Sequence, residues 1–406
     1  MAAYALPAAS SAGQPQARTL PGPERLAAAR QSLPSPAVAN YLAGRGPDAT
    51  LNHILSDIAP ALTGQNLSGR YYGFVTGSTL PIAEVADNIV TAFDQNVQVH
   101  LPEQTIATEV EDAAHEMLLA LLNLGDCNTW QGRVFTTGAT GSNILGLACG
   151  REFVVSQALR RAHEATSPSL SPASTSTASH SVGELGLLQA CAQAGIKQIQ
   201  VLTSMGHSSL SKAAGIAGLG RASVKELSLS AEEPWRLNLD AVKEELRTQQ
   251  ARGVASIIAV SAGEVNTSNF AVTGLEEMQR LRAMADRYGA WIHVDGGNYD
   301  FAFDYLCRAA DTYASRCAWS LLYMAHTDSV SALAFAIFAR LLPKSPEFAR
   351  LHELAAGIEL ADSITADGHK ILNVVSALAF VHDALLSIRP IVLNSLPRYL
   401  HLLQTA

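Results

Sequence analysis

The chain has only five cysteines, Cys127, Cys149, Cys191, Cys307 and Cys317, and no C-x-x-C pair among them, so neither a disulfide framework nor a zinc site is indicated. Their odd number and scatter point to a reducing compartment, and a cytoplasmic location is the expectation. A basic run is also lacking. With 28 basic against 36 acidic residues and a net charge of −8, a nucleic-acid surface is not expected. No apolar run is long enough to span a membrane, and the N-terminus lacks the charged-then-apolar order of a secretory signal. Neither a Walker loop nor a G-x-G-x-x-G turn is present, which makes ATP and NAD poor candidates. What remains is 406 residues, 48% of them hydrophobic, enough for one large core or two smaller ones.

Residues 1–35, rich in Ala, Pro and Ser, read as a mobile arm. Residues 36–130 read as a helical segment, with apolar residues at helical spacing over 51–61, 80–93 and 105–124. Within it lies an aromatic-glycine patch, Gly69-Arg70-Tyr71-Tyr72-Gly73-Phe74, open to two readings: core packing or the wall of a pocket. From 131 the rhythm changes. Strands are expected at 133–136, 198–203, 223–229, 256–261, 290–294 and 361–366, with helices at 144–155, 209–218, 239–251 and 273–288. This alternation predicts an α/β fold with a mostly parallel central sheet flanked by helices. Residues 164–182, dominated by Ser, Thr, Ala and Pro, read as a flexible surface loop.

Polar residues gather at the ends of these strands. Thr137-Gly138-Ala139-Thr140-Gly141-Ser142-Asn143 joins a strand to a helix through a turn with hydroxyls, where free N–H groups and the helix dipole favour an anion. His207 follows a strand at the mouth of a helix, where an imidazole either stacks on a flat ring or caps the helix. Asp295 ends the apolar strand Trp291-Ile292-His293-Val294, a costly place for a charge unless a cation such as a protonated pyridine nitrogen faces it. Glu264, in Gly263-Glu264-Val265-Asn266-Thr267, marks a third polar strand end. Lys370 lies just past the strand at 361–366, where open α/β sheets hold ligands, and a desolvated amine there forms a Schiff base with a carbonyl cofactor such as pyridoxal phosphate.

Taken in order, Thr137-Gly138-Ala139-Thr140, His207-Ser208-Ser209, His293-Val294-Asp295 and Asp367-Gly368-His369-Lys370 resemble the group II pyridoxal-phosphate-dependent amino-acid decarboxylases, the family of the aromatic-amino-acid, histidine and glutamate decarboxylases. The resemblance covers about residues 70–373 and implies fold type I of the PLP enzymes, with 131–373 as the cofactor-binding domain. It implies that Lys370 is the Schiff-base lysine, Asp295 the pyridinium partner, His207 the ring-stacking imidazole, and Gly138, Ala139 and Thr140 part of the phosphate cradle. By the same resemblance His369 is the histidine that precedes the lysine, and Tyr72 and Phe74 shape the substrate pocket. The implied cofactor is pyridoxal 5'-phosphate, the implied substrate an L-amino acid and the implied reaction loss of its α-carboxylate, in a homodimer among intact members of the family.

The sequence departs from the family pattern in two places. Residues 298–334 form an insertion between Asp295 and Lys370, read as either a translated intron or a lid. Residues 374–406 resemble nothing in the family, whose C-terminal small domain and catalytic tyrosine have no counterpart there; this tail is expected to be helical if it is ordered. Alternatives therefore stand beside the decarboxylase reading: an impaired PLP-binding remnant, or another type I activity such as an aminotransferase or carbon–carbon lyase.

Overall fold

A computed structural model of the chain describes residues 20–37, 42–65, 81–94, 99–122, 124–166, 181–264, 266, 267, 269–296, 353–366 and 377–381. The chain divides into two compact units, Met1–Ser78 and Thr79–Ala406. In the first, helix α1 (Pro23–Ser32) is followed by α2 (Pro47–His53), which runs on through a π turn at Ile54–Ile58 and a 3-10 turn at Ala59–Ala61. Residues 23–32 are thus helical within the stretch 1–35 expected to be a mobile arm, of which 1–19 lie outside the described residues. The proline that suggested disorder occupies the first helical turn, where its missing N–H costs nothing, and Glu24 and Arg30 sit at the ends the helix dipole favours.

The second unit opens with α3 (Pro81–Phe93) and α4 (Ala107–Leu121), close to the helices expected there. Strand β1 (Gly132–Thr136) then leads into the long helix α5 (Ala139–Thr166). Short helices α6 (Val182–Leu185) and α7 (Leu187–Ala194) precede β2 (Gln198–Thr203), whose span agrees with the expected strand. The chain continues through α8 (Ser208–Ile216), β3 (Val224–Glu226), α9 (Leu239–Gln250), β4 (Val254–Ser261), α10 (Gly274–Tyr288) and β5 (Trp291–Gly296). Strands β6 (Ser363–Ala366) and β7 (Ala377–Val381) are the last described elements.

These strands form one seven-stranded sheet in the order β1-β7-β6-β5-β4-β2-β3. Pairs β3–β2, β2–β4, β4–β5 and β5–β6 are parallel, whereas β7 runs antiparallel to both β6 and β1. Strand β7 corrects the expectation of a helical tail, since Ala377–Val381 completes the sheet from inside. A five-residue apolar run such as Ala-Leu-Ala-Phe-Val carries no period that separates a buried strand from a helix.

The parallel strands β2, β4, β5 and β6 are buried on both faces and alternate between two cores. Leu202, Ile258, Val260, Ile292, Val294 and Ile364 join Val242 and Leu246 of α9 and Met278 and Leu281 of α10. On the other face Val201, Ile257, Ala259 and Trp291 pack under Leu147 and Val155 of α5 and Ala213 of α8. Buried Asp362 pins the start of β6 beside β5, because its Oδ2 accepts from the Ile292 N–H at 2.7 Å and from Arg282 of α10 at 2.8 Å. That register sets Ser363 beside His293 and Thr365 beside Asp295.

Candidate active site

The carboxyl ends of β4, β5 and β6 lie next to one another, and side chains in register point to the same face of the sheet. Ser261, Asp295 and Thr365 form one such row, and Ala259, His293 and Ser363 the row beneath it. Helix α5 covers this face. It comes unusually close because Gly146 and Gly150 stand over β5: a Cβ on Gly146 would meet the His293 ring at 2.4 Å, and one on Gly150 would meet Trp291 at 2.7 Å. The same helix therefore reaches down with Asn143, one turn before Gly146.

Asn143 is fully buried, and its Nδ2 donates to Asp295 Oδ2 at 3.0 Å and to Ser209 Oγ at 3.1 Å. Its Oδ1 lies 2.9 Å from His293 Nε2. Asp295, 7% exposed, thus receives a charge-assisted hydrogen bond where a bare carboxylate would be costly. Full burial pushes the His293 imidazole down to about 4, overriding the pull of neighbouring Asp295, so the ring is neutral at neutral pH. Thr365 is also fully buried, and among the described residues its hydroxyl has no hydrogen-bond partner. An orphaned buried hydroxyl beside Asp295 is what a site looks like when a ligand supplies the missing partner.

His207 stands at the N-cap of α8, half-buried, after a turn in which Met205 takes φ 32°, a left-handed conformation rare outside glycine. Its Nδ1 accepts from the Ser209 N–H at 3.2 Å and lies 2.6 Å from Ser209 Oγ. The capping role weighed from the sequence is therefore real, and the same serine links the imidazole to Asn143. At the head of α5, Thr136 Oγ1 bonds the Gly138 carbonyl at 3.1 Å and lies 2.6 Å from Ser142 Oγ. These bonds hold the turn so that the first N–H groups of α5, at Ala139 and Thr140, open the helix with no carbonyl four residues back. Glu264, by contrast, is satisfied within its own loop, accepting from Asn266 N–H and Nδ2 and from Thr267 N–H and Oγ1 at 2.7 to 3.0 Å.

Of the residues singled out from the sequence, Gly138, Ala139, Thr140, His207 and Asp295 are described. His207 and Asp295 are joined through Asn143 and Ser209. Lys370, His369, Tyr72, Phe74 and the insertion 298–334 lie outside the described residues. Asn143, Ser209 and His293, quoted within the motifs but given no role there, and Ser363 and Thr365 carry geometry that the sequence did not reveal. A signal existed for Asn143: it shares a helical stripe with Gly146 and Gly150, and an amide on a stripe that close to a sheet must find buried partners. Among the described residues no group of three or more His, Cys, Asp or Glu is placed to hold a metal ion, and no helix is long and apolar enough to cross a membrane.

The fold is that of pyridoxal-phosphate-dependent decarboxylases, the type I fold that the motifs implied. It matches the structure of Oryza sativa TDC with PLP and tryptamine at a TM-score of 0.54 and 20% identity, over 90% of this chain and 62% of that one. The glutamate decarboxylase domain of a diaminobutyrate-pyruvate transaminase and L-2,4-diaminobutyrate decarboxylase from Vibrio parahaemolyticus matches with a TM-score of 0.55 and 19% identity, over 91% of this chain and 63% of that one. In sequence the chain is similar to L-2,4-diaminobutyrate decarboxylase of Acinetobacter baumannii, 22% identical over 53% of this chain and 38% of that protein. Tryptophan decarboxylase 1 of Oryza sativa subsp. japonica is 24% identical over 61% of this chain and 43% of its own length. The chain thus spans about two fifths of the curated relatives it matches. No family model matches it.

Proposed function

We propose that the chain binds pyridoxal 5'-phosphate and removes the α-carboxylate of an L-amino acid. The observation that carries this reading is the buried Asp295 carboxylate at the end of β5, held by Asn143 beside a Thr365 hydroxyl that has no partner among the described residues. The residues present fit the cofactor's chemistry. Asp295 would hold a proton on the ring nitrogen, and His207 would lie against the ring. The N–H groups of Gly138, Ala139 and Thr140 at the head of α5 would take the phosphate. Lys370, which follows β6, would supply the amine that binds the aldehyde covalently, with His369 before it. When bound, the cofactor supplies an aldehyde that condenses with amines and a ring that accepts the electron pair left as carbon dioxide departs. Asp295 matters most at that moment, because a protonated ring nitrogen draws the electrons.

The relatives act on unlike amino acids by name, a diamino acid and tryptophan, and Tyr72 and Phe74 are the candidates for shaping the pocket here. A cytoplasmic homodimer is the proposed setting, supported by the scattered cysteines and by the way type I enzymes build sites at subunit contacts. The test is carbon dioxide release from a panel of amino acids with added PLP, for the full chain and for Lys370→Ala. PLP-dependent release that the substitution abolishes is the expected result. If PLP binds but no amino acid yields carbon dioxide, the decarboxylase reading fails and a binding remnant or another type I activity takes its place.

A further inference from the structure

The hydrogen bonds around Asn143 have only one consistent set of donors. A carboxylate accepts only, so the amide end facing Asp295 Oδ2 is the NH2, and the carbonyl Oδ1 faces His293 Nε2 at 2.9 Å. His293 must therefore carry its proton on Nε2 and accept at Nδ1, where Ser363 Oγ lies at 2.8 Å. The Ser363 hydroxyl donates there and accepts in turn from Trp291 Nε1–H at 2.9 Å. On the other side Ser209 Oγ accepts from Asn143 at 3.1 Å and sends its own proton to His207 Nδ1 at 2.6 Å. One ordered chain thus runs Trp291, Ser363, His293, Asn143, Ser209, His207, with Asp295 as a branch from Asn143. Its members Trp291, Ser363, His293, Asn143 and Ser209 are essentially excluded from solvent, at 0 to 1% exposure, so water cannot replace a lost partner.

We infer that Asn143 is a positioning residue: its amide fixes the Asp295 carboxylate and, through Ser209, the His207 imidazole, so that one side chain sets both groups assigned to the flat ring. This rests on the reading that PLP binds at Asp295. His293 and Ser363 decide which way round the amide sits, and Gly146 lets α5 come near enough for it to reach. The neutrality that burial imposes on His293 keeps its Nε2 proton in place without adding a charge beside Asp295.

Asn143→Leu keeps the branched shape of the side chain, though with greater bulk, and removes all three bonds. The full chain carrying it should bind PLP about 10- to 100-fold more weakly, the loss seen when the outer partner of a metal ligand is removed, and the visible absorbance of bound PLP should change with pH over a displaced range. Ser256→Ala, which breaks the buried 3.1 Å bond from Gln200 within the same sheet, should leave both readouts unchanged. Independently of PLP, nitrogen NMR of the histidine side chains should find His293 protonated on Nε2 in the unsubstituted chain. Should Asn143→Leu not fold, Ser363→Ala tests the same chain from its far end, and should shift the His293 resonances and weaken PLP binding. An Nδ1-protonated His293, or an Asn143→Leu chain with unaltered PLP affinity and absorbance profile, overturns the inference. If the unsubstituted chain binds no PLP, the functional reading fails instead, and the His293 proton alone decides whether Asn143 is arranged as described.

Discussion

The two faces of the sheet differ in what their residues do. Under α9 and α10 the strands offer mainly Leu202, Ile258, Val260, Ile292, Val294 and Ile364, a largely apolar face whose polar groups, Gln200 with Ser256 and Asp362 with Arg282, lie toward the strands' amino ends. Under α5 the same strands begin apolar, with Ile257 and Trp291, and turn polar toward their carboxyl ends at His293, Ser363, Asp295 and Thr365. Strand β5 shows both in five residues, as Ile292 and Val294 point one way and Trp291, His293 and Asp295 the other. The first face can lose a group and relax. At its polar end the second leaves a buried donor or acceptor stranded when a group is lost, except at Thr365, whose hydroxyl has no partner among the described residues.

The largest effect expected of a single substitution breaks the apolar face. Leu281→Ala in α10, at a fully buried position, should lower stability by about 2 to 5 kcal/mol in urea denaturation while leaving the PLP affinity of the folded protein as it was. A change in affinity as large as the change in stability would mean that the faces are not separate.

Acid should weaken the fold through two buried imidazoles, His293 on the polar face and His115 of α4. Burial holds His293 down to about 4, and burial with the nearby Arg133 charge does the same for His115, which stacks on Phe135 with ring centroids 4.2 Å apart. Both take up a proton near 6.5 when unfolded. As pH falls from 6.5 to 4, the unfolded chain therefore binds protons that the folded chain refuses. The stability is full above 6.5 and is lost through that window, on the order of 3 kcal/mol for each histidine. Denaturation midpoints at several pH values check this, and a flat profile between 6.5 and 4 would contradict it.

Gly146→Ala presses on the junction between helix and polar face. Its methyl would enter the His293 ring, so we expect a loss of about 1 to 3 kcal/mol together with weaker PLP binding. The smallest effect lies on the apolar side: Asn238, whose side chain accepts from Ala241 N–H at 3.0 Å, caps α9. Asn238→Ala should cost about 1 kcal/mol in melting experiments and leave PLP affinity unchanged.

Much of this contrast was legible beforehand. The period of apolar residues located β2, α9 and α10 closely, and the placing of His207 and Asp295 at strand ends followed from where each apolar run stopped. Two elements escaped for opposite reasons. Helix α1 was masked by a proline that is harmless in a first turn, and β7 by an apolar run too short to show a period. Asn143 escaped because its role depends on α5 lying against β5, which pairs residues far apart in the chain. The stripe of Gly146 and Gly150 hints at that closeness, but the identity of the partners comes only with the register of β5 against β6.

The central claim is that the polar face holds pyridoxal 5'-phosphate with its ring at Asp295 and its aldehyde on Lys370. The most direct measurement is to add PLP to the purified full chain, reduce with borohydride and map the modified peptide by mass spectrometry. The account predicts the cofactor on Lys370, with Asp295→Asn still labelled there but at lower PLP affinity. Label spread over exposed lysines such as Lys225, or none at all, would contradict it.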